Sequence, residues 1–257
     1  MLRSKISIIV IMLLVLASCS EDTTEPTDEK DYFPLSKGNY WIYNVYELDA
    51  NSNPIDLIGT DSIIVSAITE INDKNGYELL VFRNKVIFDT LYYYTKDNSI
   101  YQYLDESTDS IPGLSEWFEI INTGGDTWFI HQEESEEYEI SFDDSTVTTN
   151  AFFVYNGKYH GPQKISIEDK EYQTIHTSYK ADTKKEFEYI FSGDTSKVEI
   201  IHARNMDFYV SDAIGIVIQT LRPGNTIIKT SNQSPYYPQK TYEHNGLKRE
   251  LIRYMIR

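Results

Sequence analysis

From about residue 40 onward the chain alternates apolar and polar positions with a period of two. Ile63, Val65, Ala67, Thr69 and Ile71 alternate with more polar neighbours, and Tyr77, Leu79 and Val81 continue the pattern, as half-buried strands do. Between them Asn75-Gly76 supplies a pair that tolerates positive φ and predicts a tight hairpin. Similar punctuation recurs at Asp97-Asn98, Gly124-Gly125, Asn156-Gly157, Gly193-Asp194, Pro223-Gly224-Asn225 and Asn245-Gly246, each beside a run rich in Val, Ile, Phe and Tyr. Turns this frequent leave no room for long helices; only residues 110–117 and 180–187 could hold a short helix or turn. The pattern predicts an all-β fold, an antiparallel meander forming a sandwich, a barrel or a strongly curved sheet, in a single domain over residues 33–257.

Two local patterns refine this. In Phe33-Pro34-Leu35-Ser36-Lys37-Gly38-Asn39-Tyr40-Trp41-Ile42-Tyr43, Pro34 stiffens the approach and Gly38-Asn39 permits a tight turn. Trp41, Tyr43 and Val45 then share one face of the first strand. Later, Gly215 interrupts the apolar run from Phe208 to Val217, which predicts a bulge or a close backbone approach.

The first residues follow another logic. Arg3 and Lys5 precede an apolar run from Ile6 to Val15, too short to span a bilayer, and Leu16, Ala17 and Ser18 lead to Cys19. This reads as a signal peptide over residues 1–18. Leu-Ala-Ser-Cys resembles the lipobox of bacterial lipoproteins, and the resemblance implies that Cys19 becomes the diacylated, N-acylated first residue of the mature chain, carrying palmitate-type acyl groups. Several acyl chains anchor firmly, because each buried methylene contributes about 0.8 kcal/mol. Cys19 is the one cysteine in the chain, so no intramolecular disulfide can form. Residues 19–32 are expected to form a solvated tether: Ser20 to Asp31 are rich in acids and hold no apolar residue able to join a core, and they reach at most about 40 Å. Ser20-Glu21-Asp22 also resembles the acidic signal of surface-exposed Bacteroidota-type lipoproteins, although a plain spacer reads the same way.

The Phe-Pro-Leu, Gly-Asn and Trp-Tyr motif, the late Gly215-Ile216-Val217 strand and the terminal Leu251-Ile252-Arg253-Tyr254 together are similar to a broad group of uncharacterised bacterial lipoproteins. That resemblance implies a secreted, lipid-anchored β-rich domain on the outer membrane, on its surface or periplasmic face, and implies no reaction. Periplasmic lipoprotein carriers resemble the chain more loosely, since they need capping helices.

Net charge of -17 argues against nucleic acid as a partner, because such a surface repels phosphate backbones. The search for chemistry is mostly negative. Gly113-Leu114-Ser115-Glu116-Trp117 begins like a nucleophile elbow but has Trp117 in place of the second glycine. His131, His160, His176, His202 and His244 are scattered singly, although distant strands could bring two together. Asp49-Ala50-Asn51-Ser52-Asn53 starts like a calcium loop, then Pro54 and Thr60 replace the glycine and bidentate acid it requires, which leaves a polar hairpin tip. No metal site and no cofactor are expected. Glu133, Glu134, Glu136, Glu137 and Glu139, with Asp143 and Asp144, could contain a hydrolase pair, but read more simply as a solvated face.

Tyrosine is the feature that points toward ligands. Tyr92, Tyr93, Tyr94, Tyr101 and Tyr103 could form a stacking surface for a glycan or lipophile; cross-strand packing would use the same residues. The sequence thus describes a lipid-anchored lipoprotein with a noncatalytic envelope or partner-binding domain. A glycan- or lipophile-binding surface protein is the alternative, and a hydrolase the second alternative.

Overall fold

The computed structural model describes residues 30–105, 115–125, 127–136, 146–191, 194–230 and 239–257. Among them are fourteen strands and no helix. The first six are β1 (Tyr40–Leu48), β2 (Pro54–Ile71), β3 (Lys74–Arg83), β4 (Val86–Lys96), β5 (Ser99–Asp105) and β6 (Ser115–Asn122). Then come β7 (Trp128–Glu136), β8 (Thr146–Ile167), β9 (Lys170–Phe191), β10 (Asp194–Ser211), β11 (Gly215–Leu221), β12 (Gly224–Thr230), β13 (Lys240–His244) and β14 (Gly246–Met255).

All belong to one antiparallel sheet in the order β6-β5-β4-β3-β2-β1-β14-β11-β10-β9-β8-β7. β1 to β6 are one meander, β7 to β14 a second, and the pairing of β1 with β14 joins them, Tyr40 facing Met255 and Leu48 facing Gly246. β11 and β12 lie end to end along β10, against Met206–Ser211 and Val198–His202 respectively. β13 pairs with β12 and β14 with β11, so this neighbouring strand is likewise broken, at Asn245.

The sheet curls until its two edges meet, giving an all-β, nearly closed barrel. No ladder joins β6 to β7 among the described residues. Instead Trp128 Nε1 donates to the Glu119 carbonyl at 2.9 Å, and the Phe118 ring stacks on Tyr155 at 4.7 Å. Gly157 and Gly76 are required by close approach: a Cβ on Gly157 would lie 1.8 Å from the Trp128 ring, and one on Gly76 2.6 Å from Trp117.

One end of the barrel is filled. Phe33 and Leu35 plug it beneath Trp41, Tyr43, Val65, Val81, Phe208, Val217 and Leu251, all buried. The Phe33 ring stacks on Trp41 at 5.9 Å and meets Tyr93 edge-on at 5.4 Å. Trp41 Nε1 donates to the Ile214 carbonyl and Tyr43 Oη to that of Ile216 at 2.8 Å, tying β1 to the start of β11. Each large apolar side chain so buried stabilises the fold by roughly 1.5–3 kcal/mol. The expected shared face of Trp41, Tyr43 and Val45 is present, and Gly38, at φ 89°, makes the expected turn.

Several turns differ from the sequence reading. The hairpin after β2 turns at Asn72-Asp73, whose φ values of 48° and 59° suit a two-residue loop, so Asn75 and Gly76 lie inside β3. Gly157 is interior to β8, where it makes room for Trp128. Gly215 closes the β10–β11 hairpin opposite Ser211 and makes the expected close approach, a Cβ there lying 3.4 Å from Phe33 and Trp41, while the register shifts nearby between Tyr209 and Val210. Pro223-Gly224 and Asn245-Gly246 mark breaks between collinear strands. Residues 180–187, whose composition allows a short helix, are strand within β9, paired on both sides.

Candidate functional site

Above the filled end, the strands border a half-open cavity of about 710 Å³. That volume falls in the range of roughly 300–1,000 Å³ usual for small-molecule sites. Alternation makes the wall: residues two apart on β9 and β10 face inward, so Tyr179, Ala181, Thr183 and Lys185 line one side and Ile200, His202, Arg204 and Met206 the next. Leu91 and Leu104 from β4 and β5, with Tyr155 and Ala181, supply apolar surface. The chain enters the barrel at the opposite, filled end, where Phe33 sits.

The cavity reverses the sign of the chain. Its lining holds Lys185, Arg204, Arg222 and Arg249 against one acid, Asp89, whereas the whole chain carries -17. Arg249 is fixed from behind. Asp61, fully buried, accepts from Arg249 Nε at 2.9 Å and from Arg83 at 2.8 and 2.9 Å. Burial alone would raise the Asp61 pKa, but the hydrogen bonds and charges of the two arginines outweigh it and hold the carboxyl below the usual range. One carboxylate between two guanidinium groups leaves an excess positive charge. Arg249 Nη1 also donates to Gln219 at 2.8 Å. Arg222 is neutralised by Asp207, at 2.6 and 3.0 Å.

Tyr93 stands near Arg249 and Tyr179 near Arg204. Tyr93 is only 4% exposed, yet neither phenol makes a hydrogen bond among the described residues. Burial raises both pKa values, that of Tyr179 to about 12, so both hydroxyls remain donors at neutral pH. At the rim, Arg204 Nε donates to His202 Nε2 at 2.9 Å. His202 Nδ1 then faces Thr226 Oγ1 at 2.9 Å, and Thr226 faces His244 Nε2 at 2.7 Å. With Arg204 as donor, the consistent assignment places the His202 proton on Nδ1 and turns the Thr226 hydroxyl toward His244.

The pleat divides the tyrosines proposed as one surface. Tyr93 faces the interior, while Tyr94, Tyr101 and Tyr103 meet on the outer face of β4, β5 and β6 with Trp117. Tyr94 stacks on Tyr101 at 4.5 Å, and Trp117 meets Tyr94 at 4.9 Å and Tyr103 at 5.4 Å. Lys74 Nζ donates to Tyr94 Oη at 3.0 Å, and Trp117 Nε1 donates to the Ile71 carbonyl at 3.1 Å. Tyr92 lies half-buried, opposite Glu78. These rings are engaged with one another, as cross-strand aromatic pairs are.

Two pairs of histidines come together. His202 and His244 belong to the cavity rim; His160 and His176 stack at 4.2 Å on the outer face, with Tyr209 at 4.5 Å on the other side of His176. Asp207 lies 3.1 Å from His176 Nε2. Ser178 Oγ is 2.7 Å from His160, but Asp207 orients the other imidazole, so nucleophile, base and orienting acid do not assemble. No group of three or more metal-ligating side chains occurs among the described residues. Asp49 accepts from the backbone of Asn51 and Asn53, at 2.9 and 2.8 Å, as a hairpin tip.

Glu133, Glu134, Glu136 and His131 lie on β7; Glu137, Glu139, Asp143 and Asp144 lie outside the described residues, as do Leu16, Ala17, Ser18 and Cys19. Sequence reasoning missed Asp61, Arg204 and Arg249. Their one signal is phase: each is a charged residue in step with the inward positions Ile63, Met206 and Leu251.

No protein-family model and no curated protein matches this chain. It is similar to a solved structure from Parabacteroides distasonis ATCC 8503, described as a "putative lipoprotein", at 15% identity and a TM-score of 0.38, over 89% of this chain and 100% of that one. A likeness that loose carries no argument about role, which rests on this chain's own side chains.

Proposed function

We propose that the protein is a lipid-anchored outer-membrane lipoprotein whose barrel is a noncatalytic binding domain for a small molecule held in the interior cavity. The observation that carries the binding role is the cavity itself: about 710 Å³ of space walled by inward side chains of both meanders. The order of Arg3, Lys5, the apolar run and Leu16-Ala17-Ser18-Cys19 supports the anchor. In this reading residues 1–18 are removed, 19–32 form the tether and the remainder folds as the binding domain.

Native mass spectrometry of the protein purified from its own membranes tests the binding role, with a copurifying small molecule as the expected result. A single bare mass in gentle conditions, together with no thermal shift from a metabolite panel, would count against it. For the anchor, the wild-type chain is expected to partition with membranes and Cys19→Ala to leave them. Retention of Cys19→Ala at wild-type levels would refute lipid attachment as the cause. Protease treatment of intact and lysed cells then distinguishes the surface from the periplasmic face.

A further inference from the structure

We infer that the cavity selects an anionic amphiphile, its oxyanion received by Arg204, Arg249, Tyr93 and Tyr179 and its apolar body lying against Leu91, Leu104, Tyr155 and Ala181. This rests on the cavity being a binding site and adds what it binds. Three independent features support the choice.

The first is charge. Arg204 has no carboxylate partner among the described residues, and its Nε is engaged only by the neutral nitrogen of His202. Arg249 shares a single carboxylate with Arg83. Two guanidinium groups with surplus charge therefore line one space in a strongly acidic chain. Each offers the planar donor geometry that matches a carboxylate or phosphate group.

The second is unmet hydrogen bonding. The Tyr93 and Tyr179 hydroxyls have no protein partner among the described residues, and neither is sealed from solvent, so both are open to a molecule in the cavity. Tyr93 lies near Arg249 and Tyr179 near Arg204, and all four side chains line the same cavity. A phenol can donate or accept, and the arginines beside these two make an oxyanion, which takes the donated hydrogen bonds, the preferred partner over a cation.

The third is the apolar part of the lining. Leu91, Leu104, Tyr155 and Ala181 present no charge to the cavity, so a wholly polar anion would leave that surface wet. An amphiphile satisfies both sides.

The test uses the full chain carrying Cys19→Ala, which keeps every cavity residue, and three probes of one length: octanoate, octanol and octylamine, below micellar concentration, by titration calorimetry. Octanoate is expected to bind at least tenfold tighter than octanol, and octylamine weakest. Arg204→Gln, on an exposed side chain, should reduce octanoate affinity about tenfold and leave octanol unchanged. Tyr179→Phe should reduce octanoate affinity by a smaller factor. Octanol binding as tightly as octanoate would overturn the anion preference while leaving a binding cavity in place. Binding of none of the three would remove both. Octanoate binding insensitive to Arg204→Gln and to Tyr179→Phe would place the anion elsewhere and overturn the assignment.

Discussion

Asp61→Asn should be among the most damaging single substitutions in the barrel. The carboxylate is completely buried, and it takes three hydrogen bonds from Arg83 and Arg249, whose side chains are 19% and 18% exposed. The amide keeps the shape but loses the charge, and its NH2 group would face a guanidinium. Two arginines then confront each other without a counterion, and loss of one partner of a buried ion pair costs roughly 3–5 kcal/mol. For a domain of this size each kcal/mol moves the melting temperature by about 2–4 °C, so the expected fall is roughly 6–20 °C. Urea unfolding followed by tryptophan fluorescence measures it as a lower midpoint at unchanged slope. An internal comparison is Lys164–Glu171, whose side chains are 52% and 61% exposed; Glu171→Gln should change stability by less than about 1 kcal/mol. The pH dependence has a definite sign. Because the folded pKa of Asp61 is depressed, its contribution is present above the unfolded value of about 3.9 and is lost as pH falls through the folded value. The Asn variant should lose less stability than wild type across that acid window. A cost below about 1 kcal/mol, the value of a surface pair, would refute the reasoning, since it would mean that water compensates both arginines.

Gly157→Ala should displace Trp128 and break its bond to the Glu119 carbonyl, costing about 1–3 kcal/mol as overpacking does and shifting tryptophan emission to the red. Alkaline stability should fall between pH 10 and about 12, because raised phenol pKa values favour folding below the unfolded value and that benefit disappears as Tyr179 ionises; absorbance at 295 nm and circular dichroism should change together. Tyr101→Ala, on the outer aromatic cluster, should lower stability by about 0.5–1.5 kcal/mol and leave octanoate affinity unchanged, measured by the same two assays.

Period-two alternation carried the fold class, and with it the inward face of Trp41, Tyr43 and Val45. Turn chemistry was less transparent, because glycine answers to two demands. Asn75-Gly76 and Asn156-Gly157 have turn composition, yet both glycines are interior to strands and clear space for tryptophans from other strands, contacts across 41 and 29 residues that no local window contains. Residues 180–187 were ambiguous for another reason: a long strand with solvated positions carries lysines and glutamates that suit a helix equally well. The tyrosine cluster was divided by a simple consequence of pleating, since Tyr93 and Tyr94 must face opposite ways. Arg204 and Arg249 could be seen as charges in an apolar phase, but their sharing one cavity depends on β11 lying between β10 and β14, a neighbourhood set by topology.

The pairing of β1 with β14 has a kinetic consequence. A chain made from its N-terminus can form β1 to β6 as successive local hairpins, but the far edge of β1 has no partner until the last strand exists, about 200 residues later. Until then Trp41, Tyr43 and Val45 sit on a bare sheet edge able to pair with another chain. Closure thus depends on β14, and a protein interrupted shortly before Gly246 would have nearly all the hairpins described and an unsealed, aggregation-prone core.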